Sequence, residues 1–161
     1  MKLDHLICII VVMFLNTGCS NSNSACKPPG VFDTLVISPF NGDATWVEEV
    51  KYERLPHGIA VKTTEQLIKL LEDSKMFSKV IQSSDCVDRA VKIDGKINSL
   101  IHKKGNFTVK ASGKFINCQT GDIIDYFENS NSDSKSDKLP NKIAEEVADD
   151  FIKMMCVKPK E

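Results

Sequence analysis

The chain has 161 residues, with 21 Lys and Arg against 22 Asp and Glu and a formal net charge of −1. This length predicts one domain, and the charge balance excludes a strongly basic nucleic-acid-binding protein and an acidic solvating tail. The 42% hydrophobic and 27% charged residues are typical of a globular chain rather than a disordered one.

The N-terminus carries a short apolar segment of the kind that directs export. Apolar residues run without interruption from Leu6 to Leu15. As a helix they rise about 15 Å, half of a hydrocarbon core of about 30 Å, which is too short to span it. The sequence therefore predicts an export signal over residues 1–18. A buried apolar strand is the alternative.

The residues that follow resemble the lipobox of bacterial lipoproteins, in which small residues precede a cysteine that is acylated and becomes the new N-terminus. Thr17 and Gly18 precede Cys19 here, and Asn16 stands where that motif usually has leucine. The resemblance implies a lipid bilayer as partner, through acylated Cys19. Ser20, rather than aspartate, implies the outer membrane more than the inner. A plain signal peptide cut elsewhere is the alternative.

Residues 19–31 are predicted to form the acylated cysteine and a flexible tether, because serine and asparagine dominate before two prolines and a glycine. Residues 32–157 are predicted to be a single domain, and residues 158–161 a short tail. The domain begins with a β-branched, apolar strand over residues 34–40. Residues 41–58 form either a short helix or an irregular flap.

Two aromatic residues of that flap are candidate partner contacts. Trp46 is the only tryptophan, and Tyr52 follows it closely. Trp46 is either an anchor in the core or lid, or a partner-binding residue. The exposed sheet face or its edge is the other candidate contact surface. After the flap, Thr63 and Thr64 are predicted to cap an amphipathic helix, and a short strand over residues 76–81 returns to the sheet edge.

The clearest pattern is a period-two alternation over residues 89–100 and 107–117, which predicts two half-buried antiparallel strands. Asp94 falls on the wet face, whereas Gly95 and Gly113 face inward and permit close approach. The basic tip between the strands is a solvated turn or a weak contact for an anionic partner. Its residues are His102, Lys103 and Lys104.

The last third of the chain contains a strand, a loop and a helix. Residues 123–128 are predicted to complete a three-stranded meander after a tight turn. Residues 129–138 are polar and are predicted to be an exposed loop. A second amphipathic helix is predicted to begin near Pro140. The order β-α-β-β-β-β-α predicts the α+β class, with a single mixed, largely antiparallel sheet and two helices packed on one face.

Four cysteines remain after the signal and the acylated residue: Cys26, Cys86, Cys118 and Cys156. An even number in an oxidising compartment predicts two disulfides. Cys86 precedes the first strand of the hairpin and Cys118 follows the second, so the two lie at neighbouring ends. Cys26 and Cys156 would form the other bridge. Four buried free thiols are the alternative. No cysteine or histidine pair has zinc-finger spacing, so no metal is expected.

The strand ending in Pro39 and Phe40, the alternating strand with Gly95 and the turn at Thr120 and Gly121 together resemble a periplasmic α/β domain. This domain occurs in curli-secretion-channel lipoproteins, in penicillin-binding-protein activator lipoproteins and at the N-terminus of the Tol-Pal β-propeller protein. The resemblance covers roughly residues 34–155. Because the chain lacks room for membrane-spanning hairpins, a pore is not expected.

The sequence contains no nucleophile elbow, phosphate-binding loop or dinucleotide fingerprint, so we expect no enzyme and no cofactor. We expect a non-catalytic, membrane-anchored periplasmic lipoprotein that binds or regulates another cell-envelope protein or complex, and no nucleic acid. The alternative is an envelope carrier of a small ligand or lipid. A carrier requires a sizeable apolar cavity between helices and sheet, whereas a partner-binding protein requires a filled core.

Overall fold

The computed structural model describes residues 31–44, the backbone of residues 46–47, and residues 54–156. The predicted export signal and most of the predicted tether and tail lie outside these ranges. Six strands form one sheet: β1 (Thr34–Ile37), β2 (Trp46–Val47), β3 (Lys79–Gln82), β4 (Ala90–Lys103), β5 (Asn106–Asn117) and β6 (Ile123–Asp133). The two α-helices are α1 (Leu55–Asp73) and α2 (Leu139–Cys156).

The sheet is mixed, with the strand order β3-β1-β4-β5-β6. β1 runs parallel to both β3 and β4, and β2 continues the pairing with β4 further along that strand. β4, β5 and β6 form an antiparallel meander. Both helices pack on one face of this sheet and against each other. The predicted α+β class and layer arrangement are therefore confirmed, and β2 is an additional short strand.

The hairpin of β4 and β5 is longer than its predicted strands and closes in a two-residue turn. Lys104 and Gly105 both have positive φ, 51° and 80°. That backbone suits a tight hairpin, because its twist matches the twist of the strands. His102 and Lys103 consequently belong to β4 rather than to the turn.

The predicted start of the first helix is wrong. α1 begins at Leu55, with Pro56 in its first turn, and Thr63 and Thr64 are buried in its interior. The Thr64 hydroxyl donates to the Ala60 carbonyl at 3.0 Å and accepts the Phe40 N–H at 2.9 Å. Thr64, which was predicted to cap the helix, instead ties it to the segment that follows β1.

The predicted loop over residues 129–138 is wrong in its first half, because β6 continues to Asp133. Asn129 and Asn131 are buried, whereas Ser130 and Ser132 between them are exposed. This alternation is that of a strand with one covered face. A short 3₁₀ turn, Ser136–Lys138, then leads into α2.

Aromatic rings fill the layer between sheet and helices. The ring centroids of Phe115 and Phe151 lie 5.3 Å apart, and those of Phe115 and Phe127 lie 5.4 Å apart. Gly95 and Gly113 face this layer, as predicted. A Cβ at either position would overlap the ring of Phe40 or Phe127, so these glycines make room for the aromatic rings.

The predicted disulfide between Cys86 and Cys118 is present, with the Cα atoms 5.2 Å apart. It joins the segment before β4 to the end of β5. Cys156 is disulfide-bonded as well, and Cys26, its predicted partner, lies outside the described residues. Neither helix of the described ranges is long and apolar enough to cross a bilayer.

Candidate interaction surface

The face of the sheet opposite the helices, here called the outer face, carries polar side chains in rows across the strands. Strand alternation places Asp94, Lys114 and Tyr126 in one row. Lys96, Ser112 and Glu128 form the next row. Side chains directly opposite each other on neighbouring strands are close enough to interact. The charged side chains of the outer face therefore lie in rows in which neighbours can interact, rather than at isolated positions.

The two rows border a cleft of about 620 Å³ on the outer face. Its charges are mixed: Lys114 Nζ lies 3.9 Å from Asp94 Oδ2, and Lys96 and Glu128 line the cleft as well. The Tyr126 side chain is 68% exposed. An exposed aromatic ring beside paired charges is a combination common at protein-binding surfaces, where tyrosine supplies both apolar area and a hydroxyl.

The outer face ends at β6, the last strand of the described sheet. Ile123 and Ile124, at the start of β6, are 43% and 42% exposed.

The face of β6 that packs on α2 makes polar contacts with that helix. Asn131 Nδ2 donates to Glu146 Oε2 of α2 at 3.0 Å. Beyond them, Lys142 Nζ lies 2.8 Å from Asp133 Oδ2. The hydrogen bond from Lys142 and the N–H of Lys135 hold the pKa of Asp133 at about 2.

The basic hairpin tip and Trp46 come near each other along β4. The backbone of Trp46 pairs with Ser99, and His102 lies three residues further along the same strand. The His102 and Phe107 rings stack with centroids 4.3 Å apart, and Lys103 and Lys104 are exposed. These residues remain predicted partner contacts.

Three further predicted residues, Cys19, Cys26 and Tyr52, lie outside the described residues. Within the described ranges, no group of three or more His, Cys, Asp or Glu side chains is arranged to hold a metal ion.

Sequence reasoning proposed the exposed sheet face or its edge as a contact surface but did not name Tyr126, Glu128 or Asn129. Their strand was predicted to end at residue 128, because the serines and asparagines that follow are typical of loops. The overlooked signal was a continued alternation along the strand. Phe127, Asn129 and Asn131 alternate with Glu128, Ser130 and Ser132. That pattern fixes which side chains face α2 and which face solvent.

No protein-family model matches the chain, and a search of curated proteins by sequence finds no match either. Solved structures do match. Protein XCC0632 from Xanthomonas campestris, of family DUF330, superimposes with a TM-score of 0.54 at 11% identity, covering 80% of this chain and 90% of that one.

A PelC dodecamer from Paraburkholderia phytofirmans gives a TM-score of 0.50 at 11% identity, covering 76% of this chain and 92% of that one. A variant of that protein in another crystal form gives 0.50 at 11% identity, with 82% and 95% covered. These are different proteins from the lipoprotein groups that the sequence resembles, so that resemblance stays a prediction. At this identity the likeness shows a shared fold alone.

Proposed function

We propose that this chain is a lipid-anchored protein of the bacterial cell envelope that acts without catalysis, by binding or regulating another envelope protein or complex. The observation that carries the proposal is the one-sided sheet. The helices cover one face, and the other face leaves Tyr126 exposed beside the charges of Asp94, Lys114 and Glu128. A fold with one open, patterned face offers a surface for recognition.

The packing between sheet and helices favours this proposal over a carrier of small ligands or lipids. Phe77 and Phe151 stack with centroids 5.8 Å apart, and Phe115 and Phe127 complete the layer. A carrier needs apolar space in this layer. Aromatic rings occupy much of it, and the cleft of about 620 Å³ opens on the outer face instead.

The proposed location is supported by the N-terminal sequence and the cysteines. Acylation of Cys19 would hold the domain at a membrane, the outer more than the inner, on a short polar tether. The Cys86–Cys118 disulfide is consistent with an oxidising compartment. Anchoring raises the effective concentration of the domain near membrane partners, so a modest interface is sufficient.

The Paraburkholderia protein is described as a dodecamer. We therefore include a second copy of this chain among the candidate partners.

Photo-crosslinking in intact cells of the native host tests the proposal. We place p-benzoylphenylalanine at Tyr126 on the outer face and, as a matched control, at Val61 on α1, which is 43% exposed. We expect a discrete protein adduct at position 126 and none at 61. In parallel, Cys19→Ala should move the protein from the membrane fraction to the soluble periplasm.

Two outcomes would contradict the proposal. Equal crosslinking at both positions, or none at Tyr126 with normal protein abundance, removes the outer face as the recognition surface. Purified protein that carries a stoichiometric lipid or small molecule would instead support the carrier.

A further inference from the structure

The outer edge of β6 is only partly blocked against pairing with another chain: Lys142 Nζ donates to the Ser132 carbonyl near its end, and a register shift interrupts its pairing near its start. Within the described residues β6 pairs only with β5, over most of its 11 residues. It contains neither proline nor lysine, the residues that commonly block such an edge. Ile123 and Ile124 expose apolar side chains at its start. An open strand of this length is suited to receive an additional strand.

A groove runs between β6 and α2, directly beneath that edge. One end is lined by Phe115, Phe127 and Met154 within a cleft of about 410 Å³. The other end is a cleft of about 240 Å³ lined by Asn129 and Glu146 among others. One end of the groove therefore mixes apolar side chains with charged ones, and the other end is polar throughout.

The polar end is acidic. Three carboxylates of α2 and a single lysine line it: Glu146, Asp149, Asp150 and Lys153. Glu128, which the strand alternation places on the outer face, borders it as well. Carboxylates gathered at one cleft favour a cation, because an opposite charge stabilises their ionised form. Since no three of these groups are arranged to hold a metal ion within the described ranges, the cation that fits best is a side chain.

Asn129 gives a second, independent indication that this cleft binds a hydrogen-bond donor. Its side chain is only 7% exposed and lines the acidic cleft. Its Oδ1 atom accepts no hydrogen bond, although a buried amide oxygen without a donor costs free energy. Asn131, two residues along the same face, does pair with Glu146. Because Oδ1 itself is buried, an ammonium or guanidinium in the cleft would donate to it after a rotation of the Asn129 side chain, and would then face the carboxylates at the same time.

We propose that β6 binds an extended segment of a partner protein by strand addition, and that a lysine or arginine side chain of that segment enters the cleft beside Asn129. This inference rests on the proposed function and names the chemistry of the partner. Side chains two residues apart in a strand point to the same side. The partner segment therefore carries an apolar side chain two residues from its basic one, placed towards Phe127 and Met154.

A synthetic heptapeptide tests this chemistry on the purified domain with its native disulfides. The peptide alternates threonine and leucine and has arginine in place of the central leucine, so that either strand direction presents both side chains. We expect it to shift the amide NMR signals of β6 and of the facing turns of α2. Replacing arginine by citrulline, which has the same shape without the charge, should weaken binding at least tenfold. Methylating alternate backbone nitrogens of the peptide should abolish it.

Two variants with matched controls locate the basic side chain. The double change Asp149→Asn with Asp150→Asn should weaken the arginine peptide severalfold and leave the citrulline peptide unchanged. Asn129→Leu should weaken both peptides, because citrulline keeps the N–H donors that Asn129 Oδ1 would accept. Glu145→Gln, on α2 outside the cleft, should leave both peptides unchanged. Circular dichroism and the dispersion of the amide signals establish that each variant is folded.

The inference is overturned if neither peptide binds, if the shifts fall elsewhere, or if citrulline binds as well as arginine. Self-association of the purified domain that Ile124→Lys abolishes, measured by sedimentation, would make a second copy the occupant and also overturn it. Because the crosslinking at Tyr126 is a separate measurement, adducts there without peptide binding would refute strand addition alone and leave partner binding standing.

Discussion

The two faces of the sheet are built from the same strands but differ in burial: the helices cover one face, and the other meets solvent. On the inner face, Phe115 and its neighbours are buried against the helices, and two glycines make room for aromatic rings. On the outer face, Lys114 and Tyr126 meet solvent within rows of mixed charge. Since alternate residues of one strand supply both faces, the comparison separates stability from the proposed recognition at the level of single neighbouring residues.

The largest expected effect comes from neighbouring residues on β5. Phe115→Ala removes a fully buried ring and should lower the free energy of unfolding by about 3–5 kcal/mol. Lys114→Ala, on the outer face, loses only an exposed ion pair and should change it by about 0.5 kcal/mol or less. Urea denaturation followed by circular dichroism measures both. Similar losses for the two variants would mean that the outer face also contributes to stability.

The Cys86–Cys118 disulfide should contribute next, although Cys86 is exposed. The bond closes a loop with a sequence separation of 32, and such a cross-link stabilises mainly by restricting the unfolded chain, by about 2–4 kcal/mol. The double change Cys86→Ser with Cys118→Ser should lower the free energy of unfolding by that amount without disturbing either face. Denaturation under non-reducing conditions measures it, and an unchanged midpoint would contradict the role assigned to the bond.

Substitutions at two neighbouring threonines inside α1 test whether their buried hydroxyls contribute to the free energy of unfolding. Thr64→Val leaves the buried Phe40 N–H without its acceptor and should cost about 1–3 kcal/mol. Thr63→Val removes a buried hydroxyl that has no partner and should be neutral or stabilising. Thr64→Ser keeps the hydroxyl and should recover most of the loss. If both valine variants behave alike in urea, the bond between Phe40 and α1 carries no stability.

The fold was largely predictable where side chains alternate strongly. Val91, Ile93 and the charged residues between them determine strand and face without reference to anything distant. The start of α1 was not predictable in the same way. Thr64 has the composition of a cap, but its hydroxyl is satisfied by the Phe40 N–H just after β1, a contact between residues far apart in sequence.

The candidate surface was less predictable than the fold, for a related reason. The asparagines of β6 have low strand propensity, and their burial depends on α2, which covers Asn131 and pairs it with Glu146. The acidic cleft arises only when these two elements pack together. Sequence spacing alone therefore gives the alternation of β6 but not the chemistry beside Asn129.

The smallest expected effect concerns the far end of β6, where Asp133 is paired with Lys142. Its pKa lies at about 2, below the ordinary 3.8, chiefly because Lys142 donates a hydrogen bond to the carboxylate. The stabilisation from this pair is therefore complete above the ordinary value and is lost as the pH falls through about 2. Lys142→Met should raise the pKa of Asp133 towards 3.8, while the Lys135 N–H at 3.0 Å retains part of the shift. Lys138→Met, which removes only a weaker charge, is the control. Titration of the Asp133 carboxyl carbon by NMR measures both, and equal pKa values in the two variants would show that Lys142 does not hold this carboxylate.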